Sequence, residues 1–123
     1  MIINKIKLEN IRSYLNQDIG FPEGSVLLSG DIGSGKSTVL LATEFALFGL
    51  DKGGGNALLR NGKNSGNVEL EFEIDGRHVF VRRNLKRTDK SVKQDAGYII
   101  VDGIKEEGTA TELKAKILDL LNY

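Results

Sequence analysis

With 123 residues, the chain is the size of one domain and can bury a core without covalent staples; its 17 basic and 17 acidic side chains cancel, so net charge names no partner. Cysteine is absent, which excludes disulfides and thiol chemistry, and the single histidine, His78, argues against a histidine-built metal site. The opening Met1-Ile2-Ile3-Asn4-Lys5 is too short for a signal peptide, and no stretch approaches the roughly 20 apolar residues of a membrane span, so a soluble cytoplasmic protein is expected.

In chain order, Ile2, Ile6 and Leu8 alternate with Lys5, Lys7 and Glu9, which predicts a half-buried first strand. Asn10-Ile11-Arg12-Ser13-Tyr14 is a polar exit, residues 18–21 suit a second short strand, and Pro22-Glu23-Gly24-Ser25 is a turn. Val26-Leu27-Leu28 has the character of a buried parallel strand leading into Gly30-Asp31-Ile32-Gly33-Ser34-Gly35-Lys36-Ser37-Thr38. That segment meets the phosphate-loop pattern G-x-x-x-x-G-K-[ST] at every fixed position. Its residue types suit the task. Gly33 and Gly35 let consecutive N–H groups, including those of Ile32 and Ser34, turn toward a phosphate. Lys36 brings a point charge to the β- and γ-phosphates, Ser37 offers a hydroxyl to Mg²⁺, and Thr38 can donate a further bond. A helix beginning near Gly35 aims its positive end at the same anion, and Gly49 suits the position just past its end. Val39, Leu40, Leu41, Phe45, Leu47 and Phe48 make the helix apolar nearly all round, which predicts burial between layers.

From Asp51 to Asn67 the composition turns to glycine and polar residues, and a mobile connection is expected, with a short helical turn only at Ala57-Leu58-Leu59-Arg60. Residues 68–74 alternate without a break, Asp75-Gly76 turns the chain, and residues 77–83 return, the clearest hairpin in the sequence. Residues 97–101 form another strand ending at a second such turn, Asp102-Gly103. Thr109 and Glu112 stand at capping-box spacing ahead of Leu113, Ile117, Leu120 and Leu121, so an amphipathic helix closes the sequence.

A phosphate cradle is not a hydrolase: an acidic metal partner and a group to position water are also needed. Ile99-Ile100-Val101-Asp102 resembles a strand ending in a metal-binding aspartate, but the following Gly103 favours a plain turn. Catalytic residues are therefore incomplete in this stretch of sequence. Arg82, Arg83, Lys86, Arg87, Lys90 and Lys93 make a basic run with two readings, a solvated hairpin tip or a stripe for nucleic-acid phosphates.

Ile6 to Tyr14, Phe21-Pro22-Glu23-Gly24, the phosphate loop and Phe45-Ala46-Leu47-Phe48-Gly49 together resemble the opening of the SMC-like DNA-repair ATPases, nearest the Rad50/SbcC family. The resemblance implies an α/β fold: the N-terminal lobe of an ABC-type phosphate-loop NTPase, with a mixed sheet and antiparallel hairpins around a buried phosphate-loop helix. Residues 1–123 would be the N-terminal half of an ATPase head without its coiled coil. It further implies ATP and Mg²⁺ as ligands, with Arg12 and Ser13 by the phosphates and Arg60 and Asn61 near the nucleotide. Implied partners are a C-terminal lobe, a second head in a homodimer, an SbcD-type nuclease and double-stranded DNA, the last facing Arg82, Arg83, Lys86 and Arg87, in the cytoplasm or at the nucleoid and with no membrane. Three departures stand out: Asp31-Ile32 replaces the family's usual Pro-Asn or Gln-Asn; the glutamine that senses Mg²⁺ and the attacking water, expected after the closing helix, is absent; and so are the coiled coil, the signature motif and the Asp-Glu pair. A self-sufficient small kinase or NTPase using Asp102, and the head of another SMC or RecF-type protein, are the alternatives.

Overall fold

The computed structural model describes residues 1–21, 34–50 and 54–121, with backbone alone at 34–37. The expected strand at 26–28 and the front of the phosphate loop lie outside the described residues. The elements run β1 (Ile2–Ile11), β2 (Tyr14–Gly20), α1 (Ser34–Phe48), α2 (Gly54–Leu58), β3 (Ser65–Ile74), β4 (Arg77–Arg87), β5 (Val92–Val101), β6 (Ile104–Gly108) and α3 (Ala110–Leu120). The six strands form one sheet in the order β2-β1-β3-β4-β5-β6, each neighbouring pair antiparallel.

Strict alternation gives this sheet one wet and one dry face. On the dry face the register aligns Ile6, Leu70, Val81 and Ile99 in one row and Phe72, Val79 and Val101 in the next. Helices α1 and α3 cover those rows with Ala42, Phe45, Ala46, Leu113 and Ile117. Removal of these side chains from water is the main stabilising term, about 1.5–3 kcal/mol for each large one. Across the wet face run Lys7, Glu69, Arg82 and Tyr98, with Lys5, Glu71, Phe80 and Ile100 alongside. Opposite charges meet across strands there, as in Arg82–Glu69 at 3.4 Å, while Phe80 stacks on Tyr98 at 6.0 Å and Lys105 caps that ring at 4.2 Å.

The strands are longer than their hydrophobic stretches predict. β2 begins at Tyr14, the central hairpin extends from Ser65 to Arg87, and β5 begins at Val92. Pairing carries each strand beyond its apolar core into polar residues, because ladder bonds are satisfied there by a neighbour rather than by a side-chain pattern. β6, with Lys105, Glu106 and Glu107, lacks the alternation that marks a strand and is held as an edge by pairing with β5. Both Asp-Gly pairs are turns with positive φ: Asp75 (49°) and Gly76 (76°), then Asp102 (49°) and Gly103 (84°).

α1 departs from the all-round burial its composition suggests. Ala42, Phe45, Ala46 and Leu47 are buried, but Leu41 and Phe48 are exposed beside Glu44, because the described elements cover only one side of the helix. Gly49, at φ 81°, ends it with its N–H donating to Phe45 O at 2.8 Å. Among the described residues no helix is long and apolar enough to cross a membrane.

The capping box of α3 is complete: Thr109 N–H donates to Glu112 Oε1 at 3.0 Å and Glu112 N–H donates to Thr109 Oγ1 at 3.3 Å. The bond from the Thr109 backbone, followed by that with its side chain, holds the Glu112 carboxyl below its ordinary value. A carboxyl lowered in the folded state adds stability above its ordinary value and loses it as pH falls through the folded one. Glu112→Gln should therefore unfold with a shallower acid limb than the parent when urea midpoints are compared between about pH 7 and pH 3. Parallel limbs would show that the charge of Glu112 adds nothing to the box.

Candidate nucleotide-binding site

The site begins where β1 ends. Asn10 (φ 54°) and Arg12 (φ 48°) both take the left-handed conformation, which for residues other than glycine is sparsely populated and needs outside support. Support comes from the segment after α2. Arg12 N–H donates to Leu58 O at 2.9 Å, Arg60 N–H donates to Asn10 O at 2.9 Å, and Ile11 bridges Leu59. The Asn10 side-chain amide donates to Ser65 O at 3.0 Å, and the Arg60 guanidinium reaches Arg12 O at 3.0 Å. Residues 58–60 thus add one rung to the end of β1, fixing Arg12 and Arg60 side by side. Exposed Ser13 and Asn61 sit next to them in the chain.

This answers the expectation of a mobile connection over 51–67 with a difference. Residues 51–53 lie outside the described residues, but from Gly54 onward the segment is pinned. Asn56 Oδ1 accepts the Val92 N–H at 3.1 Å, and a Cβ on Gly55 would lie 2.7 Å from Val92 O, so only glycine permits α2 to sit this close to β5. Glycine-rich composition here marks close backbone approach rather than looseness.

Arg87 supplies the third guanidinium. Its Nε donates to Lys63 O at 2.9 Å and its Nη2 to Arg60 O at 3.4 Å, while its backbone N–H donates to Asn64 O at 2.8 Å. Arg12, Arg60 and Arg87 are thereby joined through carbonyl groups, and among the described residues none of them is in an ion pair. A corner of linked cations held in no ion pair among the described residues suits a polyanion.

Of the predicted phosphate-loop residues, Ile32 and Gly33 lie outside the described residues. Ser34, Gly35, Lys36 and Ser37 form the first turn of α1, and Thr38 follows, buried. The loop therefore opens directly into the helix N-terminus, the arrangement that phosphate binding through backbone N–H groups requires. Asp102 is a turn residue: its Oδ1 accepts the His78 N–H at 2.9 Å. Among the described residues no three His, Cys, Asp or Glu side chains gather as a metal cluster.

The basic run does not form one surface. Arg83, read as facing DNA, is instead 1% exposed, and its guanidinium donates to Ala46 O (3.1 Å), Leu47 O (3.2 Å) and Ala110 O (3.1 Å). Burial lowers its pKa to about 10, which still leaves it charged at neutral pH. Arg87 is held by the strap at residues 60–64, and Arg82 pairs with Glu69; Lys86 is exposed. The signal was present in the phase of β4: Val79, Val81, Arg83 and Leu85 share the dry face, so Arg83 had to enter the core. No pattern flagged Gln94 or Asn56, whose bonds to Leu50 N–H (3.4 Å) and Val92 N–H depend on how distant elements meet.

With fold and site in view, the class of protein follows. A family model described as an AAA domain matches residues 5–122, and the chain belongs to that family. Within it, the chain is similar to the DNA double-strand break repair Rad50 ATPases. It is 38% identical to that of Methanococcus maripaludis over 98% of this chain and 12% of that protein, and 36% identical to that of Sulfolobus acidocaldarius over 100% and 14%. The chain thus spans about an eighth of the length of the curated relatives it matches. Among solved structures, RecF–ATP of the RecFOR pathway superposes with a TM-score of 0.62 over 90% of this chain and 30% of that one. The SMC head domain of Thermotoga maritima gives 0.57 over 94% and 42%; both are 22% identical in sequence. The fold is that of the RecF and SMC heads.

Replacing Arg87 by Met should release the carbonyls of Arg60 and Lys63 and loosen the strap. Amide hydrogen exchange of Arg12 and Arg60 is expected to quicken about fivefold, the equivalent of one hydrogen bond of ~1 kcal/mol. Unchanged exchange at both amides would mean that Arg87 does not support the corner.

Proposed function

We propose that this chain is the ATP–Mg²⁺-binding N-terminal part of the head of a DNA double-strand-break repair ATPase, acting in the cytoplasm or at the nucleoid. The observation that carries the reading is the phosphate-loop pattern of residues 30–38 running into the first turn of α1. The linked corner of Arg12 and Arg60, reached from the end of β1, supports it. In this reading Ile32 to Thr38 hold the phosphates, with Lys36 at the β- and γ-oxygens and the Ser37 hydroxyl on Mg²⁺. Arg12 and Ser13 neutralise and orient from the side, and Arg60 and Asn61 border the nucleotide.

Turnover is reserved for the assembled head. A C-terminal lobe and the opposing head of a homodimer would contribute the carboxylate and signature contacts that this sequence lacks. ATP-driven closure would then gate double-stranded DNA and an SbcD-type nuclease. The engagement of Asp102 with the His78 N–H speaks against the small self-sufficient kinase or NTPase, which needs that carboxylate on a metal. A RecF- or SMC-type head handles ATP in a similar way and differs in its partner.

Lys36→Ala should weaken Mg-ATP binding about a hundredfold or more, since Lys36 is the one basic residue of the sequence Gly30 to Thr38. Steady-state hydrolysis is expected to be absent with the chain alone and to appear, Lys36-dependent, when the C-terminal lobe is added. Robust turnover by the chain alone would overturn the half-site reading. For DNA, Arg82→Gln with Lys86→Gln in the assembled protein should lower affinity and reduce the salt slope by up to about 2. An unaltered slope would return these residues to plain surface solvation.

A further inference from the structure

We propose that Arg83 is a positioning residue of the nucleotide site: by pinning the C-terminal end of α1, it sets where the first turn of that helix presents Lys36 and Ser37. This inference rests on the nucleotide-binding reading above.

The argument starts from the helix end. The last carbonyls of any α-helix lack internal partners and need others. In α1 these include Ala46 O and Leu47 O, both of buried residues, and the Arg83 guanidinium takes one with Nε and the other with Nη2. Its remaining arm reaches Ala110 O, in the first turn of α3. One planar fork therefore locks two helices and strand β4 in a single arrangement, which a point-like ammonium cannot reproduce.

The support of the fork is equally specific. Arg83 stands in a row with Leu8 and Val68, and β5 bulges against β4 there, setting Ala96 and Gly97 against Arg83 between the pairs Arg82–Tyr98 and Asn84–Asp95. A Cβ on Gly97, within the bulge, would overlap the Arg82 carbonyl. On the helix side, Gly49 lies so close that a Cβ would fall 2.9 Å from Gln94 Oε1 and 3.6 Å from Arg83 Nη1. Gln94 Oε1 also takes the Leu50 N–H. Everything around the end of α1 is arranged to hold it from one side.

A helix is stiff along its axis, so an anchor at one end fixes the other. α1 has 15 residues, a rod of about 22 Å. Hydrogen bonds from a loop and helix N-terminus to a phosphate depend on distance and angle, so a shift of the helix weakens several of them at once. Arg83 touches no nucleotide in this scheme; it acts through the helix.

The test compares Mg-ATP affinity and thermal stability of the full chain for the parent, Lys36→Ala, Arg83→Lys and Leu85→Ala, at a temperature where circular dichroism shows all of them folded. Leu85 is buried on the same strand, so its truncation supplies a matched loss of stability without touching the fork. Arg83→Lys is expected to raise the Kd for Mg-ATP about tenfold while Leu85→Ala leaves it unchanged. Equal affinities for Arg83→Lys and the parent, or the same weakening in Leu85→Ala, would reduce Arg83 to a core residue and overturn the proposal. A parent that binds no Mg-ATP, or a Lys36→Ala variant that binds as well as the parent, would instead overturn the nucleotide reading itself, and is seen before any Arg83 variant is compared. Should Arg83→Lys fail to fold, Gly49→Ala disturbs the same anchor from the helix side. It is expected to weaken Mg-ATP binding in the same direction, and parental affinity in that variant would overturn the proposal.

Discussion

A single buried cation governs how this domain is put together. Burying a guanidinium is costly unless its donors are met, and Arg83 meets that condition only because three backbone carbonyls converge on it. The dependence runs both ways. Without Arg83, Ala46 O and Leu47 O at the end of α1 would lack partners inside an apolar layer, each unpaired group costing about 1–3 kcal/mol. Apolar packing between α1, α3 and the sheet has many near-equivalent solutions; the fork selects one. The positive charge also lies at the negative end of the α1 dipole, so the electrostatics of the helix agree with its geometry.

The same economy of means appears at the other end of the dry face. Arg87 does for the strap at residues 60–64 what Arg83 does for the helix end: it gathers carbonyls that no ladder would satisfy. The two residues are four apart on one strand, facing the same way, and each holds an element that carries nucleotide-binding candidates. β4 is therefore a spine behind the candidate site, while of its outward residues Arg82 pairs with Glu69 and Lys86 stands between Ser65 and Lys93. A run of arginines that composition alone presents as one patch is divided in two by strand geometry.

How much of this was legible depended on the range of the interaction. Period-two alternation in residues 68–83, the Asp-Gly turns and the Thr109–Glu112 box are all local, and the hairpin, the turns and the closing helix are found; of the phosphate-loop segment, the described part is the start of α1 at Ser34. Strand ends and β6 were missed because pairing with a neighbour, not side-chain alternation, makes them strands. The strap was misjudged because Gly55 and Asn56 look like loop chemistry until Val92 is brought against them. Arg83 is the instructive case. Its phase on β4 placed it inside, yet its charge argued for outside, and nothing local could reveal that a helix end would supply the acceptors.

The β1–β3 seam joins parts of the chain that are far apart. Leu8 pairs with Val68, 60 residues on (68 − 8), whereas β3 to β6 are stitched by turns between consecutive strands. Closing so long a loop costs entropy, but the cost grows only logarithmically, by about 0.6 kcal/mol for each doubling in length. The pins that define the seam's end, Arg12 to Leu58 and Arg60 to Asn10, fix where the chain returns, not how much of it intervenes. Insertions between α1 and α2 are thus thermodynamically cheap, and this stretch is free to diverge in length while the corner it leads to stays the same.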